Sequence, residues 1–215
     1  MSKDEATAAP ARRTQAQRAS EMQQRLVEGA IELLKKKRYA GFRIAEVADQ
    51  AGVSRGAQTH HFPLKDDLVL EALEAVYRRT SAASTRRIEN ARKEPAALLD
   101  ALVRDSREFF LGDDFYLSLD LMMVGADSEL GVAVKKLARQ YRLSVEHAWL
   151  RAFVDAGCDE EAAEDVVLLT YSIARGMSIR KLMSGESKRF ARLMDIWQTT
   201  ALGLLDERSD DERDG

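Results

Sequence analysis

The contents of cysteine, proline, glycine and histidine are all low, and each shortage excludes a class of protein. The 215 residues include one cysteine, three prolines, twelve glycines and three histidines. The lone Cys158 excludes an intrachain disulfide and a cysteine-based zinc cluster, and it fits a reducing cytoplasm. With 45% hydrophobic and 32% charged residues, the composition favours a soluble, helix-rich protein over a disordered chain or a sheet-and-loop fold.

Long apolar runs are also missing. No run approaches the roughly 20 residues that a helix needs to cross a bilayer, so we expect no membrane span. Residues 1–17 are polar and rich in Ala and Arg, without the hydrophobic stretch of a secretory signal. We therefore expect a cytoplasmic protein whose residues 1–17 form a flexible arm.

Positive charge is concentrated near the N-terminus. Residues 1–65 contain 12 Lys/Arg and 7 Asp/Glu, a net charge of +5, whereas the remaining residues contain 21 and 29, a net charge of −8. A basic portion on an otherwise acidic protein indicates that this portion meets a polyanion. Random variation in a charge-rich helical protein explains the asymmetry equally well, so the charge alone does not decide.

Apolar residues recur at helical spacing through most of the chain, and no segment alternates as a strand does. The pattern predicts an all-α protein of about nine helices. They are predicted over residues 18–38, 44–51, 55–61, 65 onward, 95–110, 115–124, 128–155, 160–184 and 188–207. The acidic residues 208–215 are expected to form a frayed tail.

Residues 51–68, AGVSRGAQTHHFPLKDDL, contain the most informative local signals. The amphipathic helix before them must end at Gly52, which adopts a left-handed conformation without steric cost. Ser54 is a typical N-cap for the next helix, and Pro63 cannot continue that helix. Two short helices joined by a three-residue turn form a helix-turn-helix, whose second helix enters the DNA major groove.

The same region resembles a known family. The matching residues, spread over three helices, are Gly41, Phe42, Val47, Ala48, Ala51, Gly52, Val53, Ser54, Gly56, His61, Phe62, Lys65 and Leu68. In these positions, within residues 18–70, the chain resembles the N-terminal domain of the TetR (tetracycline-repressor) family. The resemblance implies a homodimeric transcription regulator, usually a repressor, that a small-molecule effector releases from double-stranded operator DNA. It also implies a DNA-binding domain over 18–64 and a ligand-binding and dimerisation domain over 65–207.

The candidate DNA contacts lie on and beside the second helix of the motif. They are Arg43, Ser54, Arg55, Gly56, Gln58, Thr59, His60 and Lys65. Arginine pairs with guanine and glutamine with adenine, so Arg55 and Gln58 are the candidate base readers, with Arg55 alternatively on phosphate. Lys65 is expected to bind a phosphate at the start of the fourth helix. The alternative is that these are ordinary exposed polar residues on a short helix.

Two positions depart from the family pattern. Arg43 and Ile44 stand where the family often has Ser or Thr at the start of the second helix, and Arg43 is a candidate for a phosphate contact instead. Thr59 stands where the family often has a tyrosine that touches the DNA backbone. Elsewhere, Lys35 to Arg38 form either a further phosphate patch or a solvated helix end. The arm residues Arg12, Arg13 and Arg18 either enter a minor groove or belong to a disordered tail.

The adjacent histidines do not predict a metal site. On a helix His60 and His61 point about 100° apart, so they cannot share one compact site. Only His147 remains elsewhere in the chain, and three histidines are too few for a histidine-built zinc site. We expect no metal and no cofactor. His61 is predicted to pack at the junction with the fourth helix, and His60 to face phosphate.

Large apolar side chains recur in the part of the chain where the resemblance implies a ligand site. They offer adaptable surface for an apolar or aromatic molecule, although each is also of a type that fills an ordinary core. They are Phe109, Phe110, Phe115, Tyr116, Met122, Met123, Phe153 and Tyr171. The polar candidates are Arg104, His147 and Arg175. A buried arginine needs an anionic partner, which is either an acidic ligand or a carboxylate such as Asp120 or Asp165.

The last two predicted helices, 160–184 and 188–207, are too apolar to be left exposed. Together with the resemblance, they predict a homodimer interface, a four-helix bundle made by two chains. Ala174 and Gly176 are small enough to permit close approach of a partner helix.

Catalytic patterns are missing. The chain has no nucleophile motif, no glycine-rich phosphate loop and no spaced set of metal ligands, so we do not expect an enzyme. The alternative to a regulator is a helical small-molecule carrier or enzyme in which the helix-turn-helix is only scaffold. Turnover without DNA binding would favour that alternative.

Overall fold

The fold is all-α, as predicted. The computed structural model describes residues 14–125, 128–185 and 187–211. Within these ranges the elements are α1 (Gln15–Gly41), α2 (Ile44–Ala51), α3 (Arg55–His61), α4 (Lys65–Asn90), α5 (Pro95–Phe110), α6 (Asp113–Met122), α7 (Glu129–Ala138), a π-helical segment (Arg139–Leu143), α8 (Ser144–Asp155), α9 (Glu160–Ser184) and α10 (Ser187–Asp211). No described helix is both long and apolar enough to cross a membrane.

The helix boundaries differ from the sequence-based prediction in several places, including α6, which spans Asp113–Met122 rather than 115–124. The single helix expected over 128–155 is divided, because residues Arg139–Leu143 adopt π-helical geometry between α7 and α8. Helix α1 begins at Gln15, inside the expected arm, because Thr14 and Gln17 form a reciprocal capping box. Helix α10 continues to Asp211, into the expected acidic tail. Residues 1–13 and 212–215 lie outside the described part of the chain.

One continuous hydrophobic core joins the N-terminal helices to the rest of the chain. Leu26, Ile31 and Leu34 of α1 are fully buried, as is Phe42 after it. They belong to the same apolar cluster as Trp149 of α8, which has no exposed surface. A densely packed core has low compressibility and transmits strain. A displacement of the C-terminal helices is therefore expected to shift the N-terminal helices that share this core.

The helix-turn-helix is confirmed in detail. Gly52 adopts a left-handed conformation, with φ 62° and ψ 39°, and its N–H donates to the carbonyl oxygens of Ala48 and Asp49. The hydroxyl oxygen of Ser54 accepts a hydrogen bond from the N–H of Ala57 at 3.2 Å, which caps α3. The Arg25 guanidinium donates to the carbonyl oxygen of Ala51 and so holds the turn against α1.

The two glycines of this motif predict opposite effects on stability. A Cβ at Gly52 would require a left-handed non-glycine residue and would lie 3.0 Å from Nη2 of Arg25, whereas a Cβ at Gly56 would meet nothing within 4 Å. We expect Gly52→Ala to lower the free energy of unfolding by about 1–2 kcal/mol. Gly56→Ala, the matched control, should leave it unchanged or raise it by up to about 1 kcal/mol. Urea unfolding at one protein concentration measures both, and equal losses would contradict this account of the turn.

Candidate nucleic-acid interface and ligand cavity

One face of α3 is open for docking. Ser54, Arg55, Gly56, Thr59 and His60 are all exposed. The hydroxyl of Thr59 donates to the carbonyl oxygen of Arg55 at 2.9 Å, so it is turned back onto its own helix. The open space beside Gly56 allows a close approach of another backbone. This surface has the composition and the size of a short groove-entering helix.

Gln58 is not part of that face, which argues against its predicted role as a base reader. Its side chain is only 5% exposed, and its amide Nε2 donates to the carbonyl oxygen of Phe62 at 2.8 Å. This bond satisfies a carbonyl group at the C-terminal end of α3, which would otherwise lack an intrahelical partner. Reaching a base would require breaking the bond and exposing the core side of the helix.

Lys65 also points inward, in contrast to the expected phosphate contact. Its ammonium lies 3.7 Å from the ring centroid of Tyr39 and donates to the carbonyl oxygen of Tyr39 at 3.2 Å. Burial lowers the pKa of Lys65. The side chain therefore joins the start of α4 to the end of α1 instead of extending towards solvent.

Arg43 stands at the N-cap position of α2 without capping the helix. It has no side-chain capping bond of its own, but its guanidinium donates to the carbonyl oxygens of Ala40 at 3.0 Å and Phe42 at 3.1 Å. These bonds hold the turn between α1 and α2. Because the residue is exposed and a guanidinium has five N–H donors, donors remain for a phosphate.

The two adjacent histidines differ in exposure. His60 is exposed and His61 is half-buried, and the two rings meet edge to face with centroids 5.6 Å apart. Among the described residues, no group of three or more His, Cys, Asp or Glu side chains is arranged to hold a metal ion.

A strained turn connects the three-helix unit to α6. Arg38, near the end of α1, has φ 60° and ψ 172°, a conformation that side chains rarely adopt. The N–H of the next residue, Tyr39, donates to the carboxylate of Asp120 in α6 at 2.7 Å. The phenol of Tyr39 donates to Asp66 at 2.9 Å, and burial, followed by this bond, raises the pKa of Tyr39 to about 12. We call Arg38, Tyr39, Lys65, Asp66 and Asp120 the Tyr39 junction.

A cavity of about 380 Å³ lies on the other side of α6. Its lining residues come from α4, α5, α6, α7, the π-helical segment, α8 and α9. They are Tyr77, Phe109, Phe110, Phe115, Ser118, Met122, Ala138, Arg139, Arg142, Leu143, Glu146 and Arg175. Five of the predicted ligand contacts are therefore brought together here: Phe109, Phe110, Phe115, Met122 and Arg175.

Three other predicted ligand contacts are core residues that do not line the cavity. Phe153 is fully buried within the helical core. The phenol of Tyr116 donates to the carbonyl oxygen of Ser178 at 2.9 Å, away from the cavity. Tyr171 packs behind Phe110 with ring centroids 5.4 Å apart, and burial raises its pKa well above the usual value for tyrosine.

The remaining predicted contacts point to solvent. Met123 is 76% exposed at the end of α6. Arg104 forms an exposed ion pair with Asp100, one turn earlier on α5. His147 is exposed on α8. Helical spacing predicted the right elements for these residues, but a rotation of about 100° per residue decides which side chains reach the cavity.

Arg142 is the important residue that sequence reasoning missed. Its guanidinium carbon lies 3.9 Å from the ring centroid of Phe109, 5.7 Å from that of Phe110 and 5.6 Å from that of Tyr171. Both terminal nitrogens, Nη1 and Nη2, are buried and have no hydrogen-bond partner among the described residues. An arginine in a charge-rich helix is ordinarily solvent-facing, so no signal in the sequence distinguishes this one.

A larger concavity, of about 630 Å³, lies between α1 and α2, far from the aromatic residues. Its lining includes Glu21, Glu28 and Glu32 and no aromatic side chain. An acidic surface cleft suits neither DNA nor an apolar ligand. The smaller aromatic cavity is therefore the candidate ligand site.

Comparison with known proteins identifies a family and a related regulator. A family model described as bacterial regulatory proteins of the tetR family matches residues 26–72. The chain is 40% identical over 185 residues to the HTH-type transcriptional regulator CymR of Pseudomonas putida, an alignment that covers 86% of this chain and 91% of CymR.

Solved structures share the fold at low sequence identity. A transcriptional regulator from Rhodococcus sp. Rha1 superposes with a TM-score of 0.66 at 19% identity, over 84% of this chain and 96% of that one. The multidrug binding protein EbrR complexed with ethidium superposes with a TM-score of 0.60 at 21% identity, over 86% of this chain and 98% of that one.

Arg55 and Gln58 should respond differently to substitution. We expect Arg55→Ala to weaken binding to the duplex upstream of the protein's own gene by on the order of tenfold, without lowering the melting temperature. Gln58→Ala should instead lower stability by about 1–3 kcal/mol, because the Phe62 carbonyl group loses its donor, and leave DNA sequence preference unchanged. Mobility shifts on single-base variants of the duplex, together with thermal melts, measure both effects. Relaxed preference at one base pair in Gln58→Ala would instead support base reading by this residue.

Proposed function

The chain belongs to the TetR family of bacterial transcriptional regulators, and from that premise we propose that it is a homodimeric repressor, acting in the cytoplasm, that a small aromatic molecule releases from operator DNA. One observation carries the proposal. The helix that lines the aromatic cavity is hydrogen-bonded directly to the DNA-binding unit, through Asp120 and Tyr39. A molecule in the cavity therefore acts on the same helix that positions the DNA-binding unit.

Each subunit would insert α3 into the major groove. Arg55 is the remaining base-reading candidate, and Gly56 leaves room for the backbone of α3 to approach the bases. Arg43, Ser54 and His60 would contact phosphates at the edges of the groove. In a twofold-symmetric dimer the two α3 helices would lie one helical turn of DNA apart, roughly 34–36 Å, or a multiple of that distance.

Exposed apolar side chains support a dimer through α9 and α10. The large hydrophobic residues left exposed on these two helices are Leu168, Leu169, Ile179, Leu182, Met183, Leu193 and Ile196. A monomer rarely leaves so many in adjacent helices, because their hydration is unfavourable. Gly176 has open space around it and would permit close helix packing, whereas Ala174 is buried in its own subunit and takes no part.

Release would follow from a displacement of α6. Phe115, Ser118 and Met122 line the cavity on one side of this helix, and Asp120 reaches Tyr39 on the other. A ligand that pushes the cavity side of α6 would move Asp120 and change the position of α1 to α3 relative to the partner subunit. A second route runs through α4, which bears both Tyr77 in the cavity and Lys65 at the Tyr39 junction. The coupling needed is on the order of 1–3 kcal/mol, since that changes operator affinity by about 5–150-fold.

The dimer and the operator can be tested together. We expect the wild-type protein to be a dimer in light scattering and to bind its upstream duplex more tightly than a random duplex of equal length. Ile179→Glu with Ile196→Glu should produce a monomer that loses this preference, because the interface would bury charged side chains without partners. Val132→Glu, on a more exposed site of α7, is the control and should change neither property. A wild-type monomer without preference for the upstream duplex, or one that turns over a substrate without binding DNA, would refute the proposed function.

The Tyr39 junction can be tested without an effector. Asp120→Ala removes the acceptor for the Tyr39 N–H, so the DNA-binding unit should lose its fixed orientation and operator affinity should fall on the order of tenfold. Asp120→Asn retains an oxygen acceptor and should stay close to wild type. Binding isotherms at constant salt provide the comparison, and thermal melts show whether each variant is folded. Equal operator affinities for wild type and a folded Asp120→Ala variant would mean that this bond does not orient the unit.

A further inference from the structure

We propose that the cavity binds a small aromatic carboxylic acid, with the carboxylate on Arg142 and the ring among Phe109, Phe110 and Phe115. The regulatory consequence rests on the proposed function, whereas the binding itself does not. The proposed ligand class follows from the unsatisfied arginine, the charge balance of the lining and the size of the cavity.

The unsatisfied arginine is the strongest observation. Nη1 and Nη2 of Arg142 are both shielded from solvent and have no hydrogen-bond partner among the described residues. The Phe109 ring, 3.9 Å from the guanidinium carbon, stabilises the positive charge through its face. A ring face does not replace the acceptors that the terminal N–H groups require. A carboxylate does, because its two oxygens accept two parallel hydrogen bonds from one guanidinium.

The carboxylates of the described residues do not fill this role. Asp105 is buried behind Tyr171 and is committed to Arg87 at 2.7 Å and to Ser84 at 2.9 Å. Glu146 is a lining residue, but neither terminal nitrogen of Arg142 is hydrogen-bonded to it. Asp120 accepts from Tyr39 on the far side of α6. Within the described part of the chain, no carboxylate is therefore bound to the terminal nitrogens of Arg142 in competition with an entering anion.

The charge of the lining also favours an anion. Arg139 and Arg175 join Arg142, and Glu146 is the one acidic residue among the cavity-lining side chains. Three cations against one anion give a positive interior with low-dielectric walls, which concentrates anionic ligands. A cationic ligand, by contrast, would be repelled by these three arginines.

The phenylalanine cluster in the lining favours a ligand that contains an aromatic ring. Phe110 packs edge to face on Phe109 and on Phe115, with centroids 5.1 Å apart in each case. Aromatic rings prefer such edge-to-face neighbours, so a ligand ring can extend the cluster. A volume of about 380 Å³ is near the lower end for small-molecule sites and suits one or two rings.

The test compares the affinities of charged and uncharged ligands for the wild type and for Arg142 variants. The probes are 4-methylbenzoate and 1-naphthoate, each paired with its uncharged amide, titrated calorimetrically into the full-length protein. We expect the wild type to bind at least one acid more tightly than its amide, by on the order of tenfold or more. Arg142→Gln should abolish that difference by weakening the acid alone, and Arg142→Lys should restore part of it because the charge is kept.

Arg104→Gln is the matched control, because it removes an exposed arginine outside the cavity and should leave acid binding unchanged. Thermal melts supply a check that needs no ligand. Removing a buried charge that has no partner should leave the melting temperature of Arg142→Gln equal to or above that of the wild type.

Three results would overturn the inference: neither acid binds the wild type, acid and amide bind equally, or Arg142→Gln weakens acid and amide alike. The upstream duplex, measured on the same preparations, separates this failure from failure of the proposed function. Specific DNA binding without acid binding overturns only the ligand class. Loss of specific DNA binding in the wild type overturns the regulator, whatever the acids do.

Discussion

The hydrogen bond between the Tyr39 N–H and the Asp120 carboxylate is the constraint on which the rest of the molecule depends. It exists because α1 departs from helical geometry at Arg38, where φ is positive, and the N–H of the following residue is then directed to α6. Lys65 reinforces the same turn from α4, by its bond to the carbonyl oxygen of Tyr39. Strained backbone persists only where the surroundings over-determine it, and here three helices do so. The orientation of the DNA-binding unit is thus set by contacts that reach the walls of the cavity.

Two buried charged groups in the same half of the protein, the Asp105 carboxylate and the Arg142 guanidinium, differ in their hydrogen-bond partners. Asp105 is surrounded by donors from α4, α8 and α9, including Arg87, Ser84 and the indole of Trp149. It ties these helices together at the centre of the core, where an unpaired carboxylate would be very unfavourable. Arg142 has the same burial at its terminal nitrogens without acceptors among the described residues. A buried polar group without partners calls for an explanation, and this contrast with Asp105 is the basis of the ligand site that we propose.

The helix-turn-helix was predictable because its signals are local. Gly52 ends one helix, Ser54 caps the next and Pro63 prevents its continuation, and each effect acts over about one turn of chain. The contacts that Gln58 and Lys65 make were not predictable, for the complementary reason. Both are polar residues in a polar segment, and only the neighbouring carbonyl groups of Phe62 and Tyr39 turn them inward. Propensity assigns a residue to a helix but does not show which carbonyl groups lie within reach of its side chain.

The sequence by itself determined the helical class, the helix-turn-helix and the family, because periodicity and capping depend on residues close together in the chain. It also identified most of the aromatic residues around the cavity, since large apolar side chains must lie in the core wherever the helices meet. Tertiary structure alone decided that Arg142 lies inside that aromatic cluster while Arg104 and His147 point to solvent. It alone decided that Asp120 binds the turn after α1. Both outcomes depend on how helices distant in the chain rotate against one another, and that rotation is set by the packing of the whole core.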